Sequence, residues 1–180
     1  APRISLHRLL PVPFNFSSFS KKGGSTYATG PNTFVRFYLH RYLPSAPRAI
    51  WMDSDTVIAG DVARLFRTEM RHALAAHFEP TTLKKYADDM KFAGMPTSMR
   101  QSLQRSVSMA SPKMQAGVLL LDLDRWRLEP ISLMLESLVK KFSGFDNDQL
   151  ALNLYFEGQA DVLDWRWNAH HLGLWPFRLP

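Results

Sequence analysis

Apolar positions along the chain fall into short blocks that alternate between two periods. Ala49-Ile50-Trp51-Met52 and Ala116-Gly117-Val118-Leu119-Leu120-Leu121-Asp122-Leu123 are nearly unbroken apolar runs of strand length, the pattern of strands covered on both faces. The second run is the expected centre of a sheet. Elsewhere the period is helical. The run from Phe34 to Leu43 follows the capping candidates Asn32 and Thr33 and stops before Pro44, which predicts a helix. Behind Pro130, the stripe Ile131, Met134, Leu135, Leu138 and Phe142 predicts a helix ending near Gly144. Leu150, Ala151 and Leu154 predict another from about Asn147 to Phe156, with Asp148 and Gln149 in its first turn.

Shorter pieces complete the pattern. Thr56-Val57-Ile58-Ala59 and Ala73 to Phe78 read as extended segments, and Val162-Leu163 as a last strand. Asp61 caps a short helix burying Val62, Leu65 and Phe66, while Asp124 caps the turn after the central strand. Alternating strands and helices predict an α/β domain with a mainly parallel sheet flanked by helices. No internal repeat divides residues 1–180, so a single domain is expected. Residues 1–32, rich in Pro, Ser and Gly, are poorly defined, mostly loop with a short strand near Ile4. Residues 91–113 read as a loop insertion or weak helix.

Composition narrows the class. With 46% hydrophobic and 12% aromatic residues in 180, the chain has the material for a proper core. The formal charge of +6 and a pI near 9.8 suit either a nucleic-acid binder or a protein attracting an anionic nucleotide. No Lys/Arg run exceeds two residues and no familiar nucleic-acid motif occurs, which favours the second. The lack of cysteine excludes disulfides and thiolate sites but leaves the compartment open. No apolar run approaches the roughly 20 residues of a membrane helix. The chain starts at Ala1 without an initiator Met and ends at Arg178-Leu179-Pro180, as an excerpt of a longer protein would.

The acids are distributed unevenly. None precedes Asp53, although that stretch carries seven Lys or Arg; then Trp51-Met52-Asp53-Ser54-Asp55 brings two together behind an apolar strand. If the backbone stays extended, residues i and i+2 share a face and both carboxylates reach one ion. Aspartate oxygens favour hard cations such as Mg²⁺ or Mn²⁺, which bridge to substrate phosphates. Taken alone, an Asp-x-Asp more often only caps a turn or a helix. Its position at a strand's carboxyl end, where open α/β sheets bind ligands, favours the metal site.

Four further blocks, in order with this one, resemble family 8 glycosyltransferases, retaining enzymes of the GT-A fold. They are Phe34-Val35-Arg36-Phe37-Tyr38-Leu39, Met114-Gln115-Ala116-Gly117 through Trp126, Asp148-Gln149-Leu150-Ala151-Leu152-Asn153, and Arg166-Trp167-Asn168-Ala169-His170-His171. The resemblance implies that Asp53 and Asp55 hold Mn²⁺ (or Mg²⁺) against the diphosphate of a UDP-sugar. It implies donor-binding roles for Arg36, Ser54 and Gln115, and places Asp148 and Gln149 beside the transferred sugar. It further implies a glycan or other carbohydrate acceptor and a Golgi location behind an N-terminal anchor. Three family features are absent: an Asn where this chain has Gln115, an acid where it has Leu150, and a downstream His as third metal ligand, for which His170 and His171 come too early. A non-catalytic relative and a metal-dependent phosphohydrolase are the competing readings, the latter wanting more converging acids and histidines.

Overall fold

The computed structural model describes residues 4–13, 31–83, 85, 97–106, 110–142 and 148–169. A four-stranded sheet, in the order β1-β3-β2-β4, carries helices against it. Its strands are β1 (Arg48–Met52), β2 (Leu74–Thr82), β3 (Pro112–Asp122) and β4 (Asp161–Val162). The helices are α1 (Leu39–Tyr42), α2 (Val62–Phe66), α3 (Thr97–Ser106), α4 (Leu123–Leu128), α5 (Ile131–Lys141) and α6 (Asp148–Tyr155). The predicted first helix divides into a 3-10 segment, Pro31–Tyr38, that continues into α1.

The long apolar run does lie inside the sheet, as β3, between β1 and β2. Strand direction refines the expectation of a mainly parallel sheet. β1, β2 and β4 point the same way, but β3 runs against both its neighbours, so only β2–β4 is a parallel pairing. Apolar residues fill both faces of β3, with Leu119 and Leu121 in one buried cluster and Val118 and Leu120 in another. Trp126 of α4 is buried among the first cluster, its indole N–H donating to Ala73 O at 3.0 Å.

Several local expectations change. Thr56 to Ala59 form no strand, and Val57 and Ile58 are exposed; the chain turns instead, with Thr56 N–H bonded to Asp53 O at 3.0 Å. The β-branched pair fits an extended pattern but pairs with no strand among the described residues. Asp61 caps α2 as expected by accepting from Ala63 N–H, yet only Leu65 of that helix is buried and Phe66 is exposed. The cap after β3 is Asp122, accepting from Arg125 N–H, and Asp124 lies inside α4. No strand forms near Ile4 within residues 4–13. Much of the stretch expected as a loop insertion is α3, and β3 begins before it ends. The buried face of α5 is rotated toward polar partners: Ser132 donates to Phe37 O at 2.7 Å and Glu136 accepts from Tyr38 OH at 2.8 Å. Met134 is left exposed. The proposed helix end at Gly144, the start at Asn147, and His170 and His171 lie outside the described residues.

Candidate functional site

The register between β2 and β3 slips between Ala76 and Phe78, opposite residues 115 to 118 of β3. Such a bulge takes backbone groups out of the ladder and re-aims them. Ala116 shows the effect. Its carbonyl accepts from Arg36 Nη1 at 2.5 Å, and its N–H points to Gln149 Oε1 at 3.4 Å. A backbone amide is thereby offered to side chains from two other elements.

Arg36 is the hub of the cluster. Its side chain is buried, with residue exposure of 6%, and its Nη2 lies 2.8 Å from Asp53 Oδ1. On the other side its Nε forms an ion pair of 2.7 Å with Asp148 Oδ2, on a residue that is 2% exposed. The guanidinium also stacks over the Trp51 ring, 4.5 Å from its centroid. Only a planar, multiply donating cation can reach two carboxylates and a carbonyl at once. The 3-10 segment, the end of β1 and the start of α6 are thereby tied together.

Asp53 follows the last residue of β1, its N–H bonded to Gly117 O at 2.9 Å. Oδ1 receives both Arg36 Nη2 and Trp51 Nε1, the latter at 2.7 Å. Oδ2 has no donor among the described residues. Ser54 and Asp55 occupy the turn and are exposed, so the two carboxylates do not share a face through strand pleating as expected. The turn itself brings Asp55 to the surface beside the half-exposed Asp53.

Gln115 lies apart from this group. Its amide donates to Glu79 Oε1 across the β2–β3 pair, and Lys113 Nζ holds the other oxygen of Glu79 at 2.9 Å. Gln149, in contrast, is set by α6. Asn153, one turn on, fixes that helix to β3 through Met114, and its Nδ2 also donates to Gln149 O at 2.8 Å.

The structure thus gathers Arg36, Asp53, Asp148 and Gln149, leaves Ser54 and Asp55 on the adjoining surface turn, and ties Gln115 to a neighbouring cluster. Sequence reasoning missed Trp51 as an aspartate donor, Glu79, Asn153, and the approach of Asn168 to Gly117. A glycine inside an otherwise solid apolar strand was the available signal for that approach. Among the described residues no group of three His, Cys, Asp or Glu converges on one point. No described helix is long and apolar enough to cross a membrane.

The profile described as Glycosyl transferase family 8 matches residues 12–176. The chain belongs to that family. Human Glycosyltransferase 8 domain-containing protein 1 is 27% identical over 161 residues, covering 79% of this chain and 43% of that protein. The Arabidopsis thaliana protein named Probable galacturonosyltransferase-like 3 is 31% identical over 153 residues, covering 79% and 42%. The chain therefore spans less than half the length of these curated relatives. Among solved structures, the galactosyltransferase LgtC superposes with a TM-score of 0.60 at 20% identity, over 85% of this chain and 51% of that one. Mouse xyloside xylosyltransferase 1 gives 0.56 at 19% identity, over 84% and 58%. The fold is that of the GT-A glycosyltransferases.

Proposed function

We propose that this chain forms the donor-binding part of a retaining glycosyltransferase that moves a hexosyl or hexuronosyl unit from a UDP-sugar to a glycan acceptor. The observation that carries this reading is the Arg36 bridge, which joins the Asp-Ser-Asp turn to the Asp-Gln start of α6. Residues 112 apart in sequence, Arg36 and Asp148, would have no reason to pair in a buried corner of a surface loop protein. The family resemblance implies that they flank one donor.

Charge favours a divalent cation at this corner. Asp53 and Asp148 bring two carboxylates to one guanidinium, and Asp55 follows on the adjoining turn, in a chain whose net charge is +6. Asp53 Oδ2 and the exposed Asp55 carboxylate supply hard oxygen ligands, and Mg²⁺ or Mn²⁺ sites of this kind complete their coordination with substrate phosphates and water. These residues fit such an ion. When bound, it would act as a Lewis acid on the departing diphosphate.

The chain's own groups supply the rest. Arg36 locks Oδ1 of Asp53, so that the carboxylate is oriented before any ligand arrives. Asp148, fixed by the same arginine, accepts from hydroxyls of the transferred sugar. Gln149, held by Ala116 N–H, faces the anomeric carbon and stabilises the positive charge that grows there as the glycosidic bond opens. The departing phosphate takes the acceptor proton. We place the protein in the Golgi lumen, on the family resemblance.

One observation favours the non-catalytic alternative: Gln115 is held by Glu79 rather than aimed at the Arg36 cluster. Incubation with a panel of UDP-hexoses and UDP-hexuronates, with and without Mn²⁺, separates the two. Release of UDP from at least one donor, lost in Gln149→Ala, supports transfer chemistry; binding of donors without turnover supports the degenerate relative.

A further inference from the structure

Trp51 precedes the last residue of β1 and stands opposite Leu119 in the β1–β3 ladder. The bond from Asp53 N–H to Gly117 O carries that ladder one residue past the strand, so alternation leaves Trp51 and Asp53 on one side of it. The Trp51 ring is partly buried and packs against the main apolar cluster. Such packing restricts the rotamers of a side chain that other groups lean on.

Two groups of the candidate site meet on this one ring. The indole face carries the guanidinium of Arg36, 4.5 Å from the ring centroid. The N–H at its edge donates to Asp53 Oδ1 at 2.7 Å. Arg36 Nη2 reaches the same oxygen at 2.8 Å, so ring, cation and carboxylate close a triangle. Indole supplies a π face and an N–H donor in one rigid plane; Phe offers the face without the donor, and Leu offers neither. Turning the Asp53 carboxylate would break two hydrogen bonds at once. Its second oxygen, on a side chain that is 38% exposed, therefore has a fixed direction.

We propose that Trp51 is a positioning residue of the cation site: its face holds Arg36 and its N–H holds Asp53 Oδ1, so that Asp53 presents Oδ2 as a ligand of set direction. Groups that orient a metal-binding carboxylate raise the affinity of the site without touching the ion. The inference rests on the cation reading above. It has a consequence that packing alone lacks. A carboxylate held in one direction suits an ion that keeps regular octahedral geometry with oxygen ligands, as Mn²⁺ does, whereas Ca²⁺ accepts irregular arrangements. Trp51 should therefore favour the smaller, stricter ion.

Calorimetric titration of the full chain with UDP, in Mn²⁺ and in Ca²⁺, tests this in wild type, Trp51→Phe and Trp51→Leu. In Mn²⁺, Trp51→Phe should bind UDP about fivefold more weakly than wild type, a modest loss because Arg36 still holds the same oxygen. Trp51→Leu, which also removes the face beneath Arg36, should lose more. In Ca²⁺ both losses should be smaller, so that the preference for Mn²⁺ narrows. The melting temperature of Trp51→Phe should stay close to that of wild type, because its ring keeps the packing. Unchanged UDP affinity of Trp51→Phe in Mn²⁺ overturns the positioning role and leaves the cation reading standing. Equal losses in Mn²⁺ and Ca²⁺ also overturn it, being the mark of lost packing. Wild-type binding of UDP that is the same without metal overturns the cation reading, and this inference with it.

Discussion

One side-chain amide, that of Asn153, pairs with both backbone polar groups of Met114: Oδ1 accepts from its N–H at 2.6 Å and Nδ2 donates to its carbonyl at 2.9 Å. Asn153 thus serves as a one-residue extension of the ladder, docking α6 where no strand follows. Its replacement by Leu strands two backbone groups in a buried place. We expect a loss of about 1–3 kcal/mol, read by urea denaturation. Asn153→Asp loses the donor and sets a buried carboxylate against the carbonyls of Met114 and Gln149, so its loss should be at least as large.

The Arg36 bridge should behave as a coupled unit. Arg36→Met leaves Asp148 buried without its counter-charge and should cost about 3–5 kcal/mol. Asp148→Asn in the same background removes the stranded charge, so the double variant should be more stable than Arg36→Met alone. A double-mutant cycle by chemical denaturation checks this; additive losses would mean that the ion pair contributes nothing.

These two contacts show where sequence reading succeeds and where it stops. The apolar runs of β1 and β3, the Asp61 cap and the first turn of α6 were legible because local pattern decides them, whereas the run Thr56 to Ala59 formed no strand. The rotated face of α5 was not, since Ser132 and Glu136 are buried only because Phe37 O and Tyr38 OH are waiting for them. In the candidate site, the family motifs supplied Arg36, Asp53, Asp148 and Gln149. The diversion of Gln115 to Glu79, by contrast, depends on a cross-strand register that a bulge shifts. Asn153 and Asn168 act through long-range geometry, which no spacing in the sequence reveals.

His40 predicts a pH response. Burial, with Arg41 and Arg127 adding to it, pushes its imidazole below the ordinary value of 6.5, and its Nδ1 is buried without a partner among the described residues. The folded state therefore binds the proton less readily than the unfolded one. The stability this protects is full above about pH 6.5 and is lost as pH falls through the depressed folded value. Melting temperatures between pH 7.5 and 5 should decline in the wild type, and decline less steeply in His40→Leu. Parallel curves would contradict this role.

Asp53 is expected to be sensitive to both shape and charge. Asp53→Asn keeps one acceptor for Arg36 and Trp51 but weakens the pairing, while Asp53→Glu displaces the carboxylate from both donors. Both variants should lose Mn²⁺-dependent nucleotide binding by at least about tenfold, as loss of one charge-assisted hydrogen bond implies. Trp51→Phe, which removes a single donor, should lose less in the same titration.

The central claim is that the Asp-Ser-Asp turn beside Arg36 holds a divalent cation against a nucleotide diphosphate. Its most direct measurement is the calorimetric titration of the full chain with UDP, with and without Mn²⁺, for the wild type and Asp55→Asn. We predict binding that requires Mn²⁺ and disappears in Asp55→Asn. UDP binding of equal strength without the metal, or unchanged by Asp55→Asn, would contradict it.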